Sequence, residues 1–494
     1  MRLLKNNFLS VAASAAGVSV LVQALAFLRQ VLVAACFGVG RDYDSYVMVY
    51  SIATIVVFTF GGIFDSIAVP HLVRARENDG DRAARALAMS IFRFSLCMGL
   101  GVSLIFIIAV FVLAPVVATG FSAAERAGLE SLTWFFLPWT LICLPYYAAA
   151  AFHKMEWRFN RVFAAEITVV AVSIGFLLMW HNDVRMLPLA YAAGYLGGLV
   201  QLVAGTPLWR LFGDRADSLR AVMRNIGELF LANQTGGLTT VVDRHVQSFL
   251  AGGGVAAVNY SSQIVMGLSG LLSFREIYIV PLTKTADRTE RLERLISGLV
   301  LLAIPASGLI VAFAPDLVSV LLERGRFDAA ATELTAQTLR IAALTLVTSA
   351  MTTPLFRMFQ ICDRINYTHI TYVATACALA IFGYLFVVAL GWGVRGVALM
   401  QLASAIVSLI VIVYLVAQCG IALRWSLIVT HMALAGVISI VAYAAAVTAT
   451  LHTSNVWGRL IVGGSIYCVV VLSGYFLARG QLRGIVFGFA RTET

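Results

Sequence analysis

A series of long apolar blocks constrains this fold more than any other feature of the sequence. Stretches of about 18 to 28 mostly apolar residues recur along the 494-residue chain, with short polar segments between them. Each block is long enough to cross a hydrocarbon core of roughly 30 Å as a helix. Backbone groups in lipid need partners within their own segment, which helices provide. We therefore predict an all-α polytopic membrane protein of about fourteen transmembrane helices.

The fourteen predicted helices are called spans 1 to 14. Their windows are 8–36, 45–70, 91–117, 132–152, 162–180, 187–209, 226–250, 256–280, 296–321, 333–356, 367–391, 395–418, 428–450 and 458–478.

Basic residues are concentrated in alternate connections between the spans. The Lys- and Arg-rich segments are 71–90, 153–161, 210–225 and 282–295, and all four fall on one side of the membrane if the span count is right. Cytoplasmic loops carry such an excess. We predict a multi-pass protein of the bacterial inner membrane with both termini in the cytoplasm. The net charge of +10 therefore reflects topology, and we expect no nucleic-acid partner.

Short motifs recur between the two halves of the chain. FDSIAVP, ending at Pro70, resembles REIYIVP, ending at Pro281. The pair Ala114-Pro115 recurs as Ala314-Pro315, and Arg158-Phe-Asn160 recurs as Arg364-Ile-Asn366. Each repeat contains six spans, an even number, so the repeats share one orientation. We predict an N-lobe at 1–215, a C-lobe at 216–422, and two additional spans with a cytoplasmic tail at 423–494.

Motifs for covalent or metal chemistry are absent from the sequence. It contains no GxxxxGK[ST] phosphate loop, no HExxH and no GxSxG. None of the seven cysteines has CxxC spacing. We expect a transporter that is not an enzyme and has no cofactor.

Charged and amide side chains within the spans are the candidate functional residues. An ionisable group in a membrane is costly unless it faces a partner or a wet cavity, and polarity is concentrated on spans 1, 2, 7 and 8. The pattern predicts a transport cavity lined by these spans. Its candidate substrate-binding residues are Arg29, Asp44, Asn233, Arg244, Gln263 and Arg275. Its candidate ion-coupling residues are Asp65, Asp243 and Glu276. Two alternatives stay open: Asp44 as a helix cap, and Arg29 as an interfacial, snorkelling side chain.

Three segments resemble the MurJ/MviN lipid II flippases of the MOP exporter superfamily. They are 28–46, which includes Arg29 and Asp44, 241–265, which begins VVDRHVQSF, and 321–340, LLERGRFDAAATELTAQTLR. The chain departs from the family pattern at Gln23, in span 2, and at Gln263 and Met266. The resemblance implies a flippase for an undecaprenyl-pyrophosphate-linked saccharide, and the departures fit a relative that carries an exopolysaccharide precursor.

We predict alternating access between the two lobes, with Arg29, Arg244 and Arg275 as candidates for contact with the diphosphate; of these, Arg29 matches a functional position of the family. Motion would be coupled to a monovalent cation, a proton or the membrane potential. The expected partners are a lipid-linked oligosaccharide and membrane lipids, and we expect a monomer. Two other functions stay open: a cation-coupled multidrug exporter of the MATE type, and a non-transporting membrane partner of a polysaccharide synthase.

Overall fold

The computed structural model describes residues 21–209, 219–272, 288–362 and 364–478, and every regular element among them is helical. Each of the fourteen predicted windows contains a helix. In chain order these are α1 Leu21–Phe37, α2 Arg41–Ile63, α3 Val69–Val117, α4 Ala123–Met155, α5 Phe159–Met179, α6 Met186–Val203, α7 Leu219–Gln247, α8 Gly254–Leu272, α9 Arg288–Leu322, α10a Ala329–Ala342 with α10b Thr345–Ile361, α11 Asn366–Gly383, α12 Gly393–Gln418 and α13 Trp425–Thr450, and α14 Val456–Leu477.

The described helices have the length, composition and exterior of membrane spans. Nine of them are long and apolar enough to cross a bilayer, or ten if α10a and α10b, bent by 45°, form one span. Large apolar side chains point outward, such as Leu104 at 57% exposure and Leu472 at 67%. Such a large exposed apolar surface is unfavourable in water and indicates a lipid environment. The predicted all-α membrane fold is therefore confirmed.

The chain forms two compact units, residues 1–248 and 249–494. In the first, α4 packs against α2, α3 and α6, while α5 packs on α6 and α7 packs on α2 and α3. In the second, α10 packs against α8, α9 and α12, while α11 packs on α12. Helices six positions apart in the order thus make the same pairings, which confirms the predicted six-helix repeat. The predicted lobe boundaries at 215 and 422 stay predictions.

The recurring Arg-x-Asn motif forms the same corner in each unit. The backbone N–H of Arg158 donates to the carbonyl of His153 at 2.9 Å, and that of Arg364 donates to Phe359 at 2.8 Å. Both bonds close the last turn of one helix over five residues. The next helix, α5 or α11, begins within two residues of the arginine. The repeat therefore preserves this corner in hydrogen bonding as well as in sequence.

The segment predicted as a loop at 71–90 is helical. It forms the first part of α3 and is broken at Gly80, whose φ of 86° is readily adopted by glycine. Arg76 donates to the carbonyl of Met155 at 3.3 Å, and Arg85 pairs with Glu156 at 3.4 Å. The basic segments 71–90 and 153–161 therefore meet at one end of the first unit.

Candidate functional site

The side chain of Arg29, which belongs to α1, is held in place by an aromatic contact. Its guanidinium carbon lies 4.2 Å from the centre of the Tyr191 ring on α6. Its Nε is buried and has no hydrogen-bond partner among the described residues. No carboxylate in the described part of the chain forms an ion pair with it. A cation over an aromatic face is stabilised by the ring quadrupole and still keeps its charge.

Three tyrosines on one face of α2 extend this aromatic surface. Tyr43 and Tyr46 stack with ring centres 5.5 Å apart, and Tyr46 and Tyr50 stack at 5.6 Å. Their spacing of three and four residues places them along a single helix face. The stack therefore runs along α2 from its first turn toward its middle.

Trp139 on α4 connects the α2 tyrosines with Tyr191. It lies nearly parallel to Tyr50, with ring centres 5.8 Å apart and planes 7° apart. Trp139 also contacts Tyr191 at 5.5 Å, and the ring centres of Tyr50 and Tyr191 lie 5.7 Å apart. Helices α1, α2, α4 and α6 thus contribute to one cation–aromatic cluster inside the first unit.

The cluster has a buried base and a partly exposed edge. Trp139, Tyr46 and Tyr191 are buried, whereas Tyr50, Tyr147 and Tyr195 are partly exposed. The hydroxyls of Tyr147 and Tyr195 lie 3.4 Å apart. We call Tyr50, Tyr147 and Tyr195 the aromatic ledge. Sequence reasoning missed it, because its three rings lie on three different helices, α2, α4 and α6, and only the fold brings them together.

Arg244 near the end of α7 lies in a polar network. Its Nε donates to the hydroxyl of Ser51 at 2.8 Å, and its Nη1 donates to the side-chain carbonyl of Gln247. The Gln247 amide donates in turn to Asp243 at 2.7 Å. Gln247 is fully buried. The network joins the predicted residues Asp243 and Arg244, and it ties α7 to α2.

The end of α7 is also held by α3 and the turn that follows it. His245 Nδ1 contacts the carbonyl of Val116, and the backbone N–H of Gly120 donates to the Ser248 hydroxyl at 3.1 Å. These contacts fix the helical turn that carries Arg244. Its guanidinium is therefore positioned by the surrounding backbone as well as by its own partners.

The two arginines differ in their electrostatic surroundings. Arg244 shares Gln247 with Asp243, so a carboxylate lies next to its charge. Arg29 has aromatic neighbours, and one of its buried donors has no partner among the residues that the structure describes. Guanidinium groups recognise phosphate oxygens through paired N–H donors. Arg29 is thus the better placed of the two to receive an anion.

The other predicted site residues occupy different surroundings. Asp44 is fully buried in the first turn of α2 and lies three residues beyond its start, so it is not the cap. Gln263 is partly exposed on α8 in the second unit. The side chain of Asn233 lies outside the described residues, as do Arg275 and Glu276 in full.

The backbone at Asp65 forms a π-helical turn, Phe64–Ala68, although its side chain is outside the described part. The turn precedes Pro70, which cannot donate a backbone hydrogen bond, and it contacts α4 and α7. π-Helical turns frequently occur at functional sites. This backbone feature fits the prediction for Asp65, which stays a prediction.

Sequence relatives were found over most of the chain. The family model described as "Lipid II flippase MurJ" matches residues 33–469. The probable lipid II flippase MurJ of Buchnera aphidicola is 21% identical over 385 residues, covering 73% of this chain and 74% of the relative. The corresponding protein of Thermotoga maritima is 23% identical over 337 residues, covering 65% and 67%.

Solved structures share this fold at low sequence identity. A lipid II flippase MurJ in an inward closed conformation superposes with a TM-score of 0.77 at 17% identity, covering 94% of this chain and 99% of that one. An inward-facing MATE-family multidrug transporter gives a TM-score of 0.61 at 15% identity, covering 81% and 95%. The MurJ fold thus matches more of the chain than the MATE fold. With residues 33–469 covered by the family model, the chain belongs to the MurJ lipid II flippase family.

Proposed function

We propose that this protein is a flippase in the bacterial inner membrane. It moves an undecaprenyl-pyrophosphate-linked saccharide, lipid II or a related exopolysaccharide precursor, across the membrane by alternating access. Among the residues that the structure describes, the observation that carries the proposal is Arg29. This membrane-embedded cation has no carboxylate partner there, and one of its donors is buried and unsatisfied.

An unpaired arginine in a membrane helix suits an anionic substrate. Such a charge is costly in a bilayer, and a bound diphosphate would offset that cost with charge-assisted hydrogen bonds. Tyr191 contacts the guanidinium through its ring face without neutralising the charge. Arg29 therefore keeps its charge for the substrate.

The exterior of the protein suits a lipid tail that remains in the bilayer. Exposed apolar side chains cover the outward faces of helices such as α3 and α13, for example Leu100 at 64% and Ile440 at 69% exposure. An isoprenoid tail would exchange with membrane lipid along such faces with little change in apolar burial. The polar head group is then the part of the substrate that needs a polar route through the protein to cross the bilayer.

The remaining features of the proposal concern topology and partners. Both termini lie in the cytoplasm, with the basic end that joins Arg76, Arg85 and Glu156 on the same side. The protein acts as a monomer on membrane lipids, carries no nucleic acid and catalyses no covalent step. Coupling to a cation, a proton or the membrane potential would act through Asp65, Asp243 or Glu276, without a bound cofactor.

Reconstitution tests the role of Arg29. Purified protein in vesicles is given a fluorescent undecaprenyl-diphosphate saccharide, and a membrane-impermeant quencher reports the leaflet. Arg29→Gln should lower the flipping rate by about tenfold or more, since a charge-assisted contact is lost. Arg93→Gln is the matched control, because Arg93 of α3 donates to its own helix at Met89 and should keep near-normal flipping. Wild-type flipping by Arg29→Gln would refute the proposal.

A MATE-type multidrug exporter is the second candidate, favoured only by the shared fold. Drugs of that class that are cationic would be repelled by Arg29, whose charge no described carboxylate neutralises. Export of a cationic dye by the reconstituted protein, at a rate unchanged by Arg29→Gln, would support this alternative over the flippase.

A further inference from the structure

We propose that the aromatic ledge, Tyr50, Tyr147 and Tyr195, is a stacking subsite for the sugar ring attached directly to the substrate diphosphate. The proposal rests on the flippase function and specifies how its head group is recognised. Every residue that carries it lies in the first unit.

The position of the ledge beside Arg29 is the first observation. Arg29 lies over Tyr191 at 4.2 Å, and the Tyr191 ring in turn contacts the Tyr50 ring, with centres 5.7 Å apart. In a glycosyl diphosphate the first sugar is joined to the phosphate through a single oxygen. A phosphate held by Arg29 would therefore place that sugar within reach of the neighbouring rings.

The hydroxyl groups are the second observation. A tyrosine in a membrane span must satisfy a polar group that phenylalanine does not have. Here Tyr147 and Tyr195 partner each other at 3.4 Å. A hydroxyl can donate once and accept twice, so such a pair keeps hydrogen-bonding capacity for a ligand. A purely structural core would favour phenylalanine or leucine at these positions.

The rigidity of the base is the third observation. Trp139 and Phe136, which are fully buried, support Tyr50 and Tyr46 from behind, with ring centres between 5.6 and 6.5 Å apart. Tyr146 supports Tyr195 at 5.0 Å. A ring fixed in this way loses little further freedom on binding, which favours a preorganised contact surface. The partly exposed edge and buried base together resemble a binding platform more than a packed core.

The chemistry of the ledge defines its ligand. Its side chains offer aromatic faces and hydroxyls and carry no charge. The matching group has an apolar C–H face and hydroxyls at its edge, as a pyranose does. A charged group would find its partner at Arg29, next to the ledge. We therefore assign the diphosphate to Arg29 and the adjacent pyranose to the ledge.

Binding of two soluble probes to the full-length protein in detergent tests this division. One probe is a short-chain prenyl diphosphate, and the other is the same molecule carrying one N-acetylhexosamine on its diphosphate. The wild type should bind the sugar-bearing probe more tightly. Tyr195→Leu should reduce the ratio of the two affinities by about fivefold, whereas Tyr195→Phe, which keeps the ring, should retain part of it. Arg29→Gln should weaken both probes.

A tyrosine outside the site provides the control. Tyr372 on α11 packs against Phe356 in the second unit, and Tyr372→Leu should leave the ratio unchanged. The proposal is overturned if Tyr195→Leu and Tyr50→Leu leave the ratio at its wild-type value, or if the wild type shows no preference for the sugar. If the sugar preference holds but reconstituted vesicles show no flipping, the flippase function fails while the subsite stands.

Discussion

The hydroxyl of Tyr475 on α14 donates a hydrogen bond to the carbonyl oxygen of Leu301 on α9. Pro305 lies four residues after Leu301 and has no N–H, so α9 cannot supply the usual helical donor to that carbonyl. The Tyr467 hydroxyl donates to the carbonyl of Pro305 itself at 3.0 Å. Helix α14 therefore braces the part of α9 in which proline interrupts the hydrogen bonding.

Removing the Tyr475 hydroxyl should destabilise the second unit. In Tyr475→Phe the Leu301 carbonyl remains in an apolar environment without its donor, and we expect a loss of about 1 kcal/mol in the free energy of unfolding. Thermal or denaturant unfolding of the purified protein in detergent measures this loss.

A double-mutant cycle with Pro305→Ala separates this mechanism from simple packing. Alanine restores an N–H that can donate to Leu301, so Tyr475→Phe should cost less in that background than in the wild type. An equal loss in both backgrounds would mean that Tyr475 does not compensate for the proline.

Alanine substitutions at two adjacent glycines of α14 should change the stability of the protein in opposite directions. A Cβ at Gly463 would lie 2.4 Å from Phe313 Cζ, whereas a Cβ at Gly464 would meet nothing within 4 Å. Phe313 is buried at the break in α9, so its ring has little room to move. Gly463→Ala should destabilise by about 1–3 kcal/mol through overpacking.

Gly464→Ala is the matched control for that substitution. It should be neutral or stabilising by up to about 1 kcal/mol, because alanine is the better helix former. Both variants are compared by thermal unfolding in the same detergent. Equal stability of the two variants would show that α14 does not pack against Phe313 as described.

The sequence was sufficient to predict the helices because apolar length in a bilayer dictates them. Arg29 and Arg244 could also be selected as candidate site residues, since a charge inside a membrane span is costly and is seldom present without a role. The polarity of residues 71–90 favours a loop, and that prediction is wrong, since they form the first part of α3. The segment meets the end of α4 through contacts such as Arg85 with Glu156, 71 positions later in the chain, which no local pattern reveals.

Partnerships between distant residues were the other feature that the sequence did not reveal. Asp316 stands out as a charge in span 9, but its partner Arg459 is 143 residues away, at an Nε–Oδ1 distance of 3.0 Å. The aromatic ledge was missed for a different reason. A tyrosine in a span is counted as apolar, so its hydroxyl is disregarded in the sequence. The clustering of rings from α2, α4 and α6 is visible only in three dimensions.

The network around Arg244 should depend on the Gln247 amide. Gln247→Leu removes the group that accepts from Arg244 and donates to Asp243. Each charged side chain then loses a buried partner, and we expect a loss of about 2 kcal/mol in unfolding free energy. Thr54→Val is the control, since the Thr54 hydroxyl donates to the carbonyl of Ser51 in its own helix and takes no part in the network as the described residues form it. Equal stability of Gln247→Leu and the wild type would exclude a structural role for the network.

The proposed orientation can be tested by labelling single cysteines in whole cells. The native chain has seven cysteines, which are first replaced, and one cysteine is then introduced at Trp157, Asp79 or Asn182. Trp157 is 73% exposed at the corner between α4 and α5, and Asp79 lies in the basic segment that meets that corner. Asn182 is exposed at the opposite end of α5. An impermeant thiol reagent added outside intact spheroplasts should label position 182 and should reach 79 and 157 only after lysis. Labelling of 79 and 157 in intact spheroplasts, with 182 protected, would reverse the proposed topology and place the basic segments outside the cytoplasm.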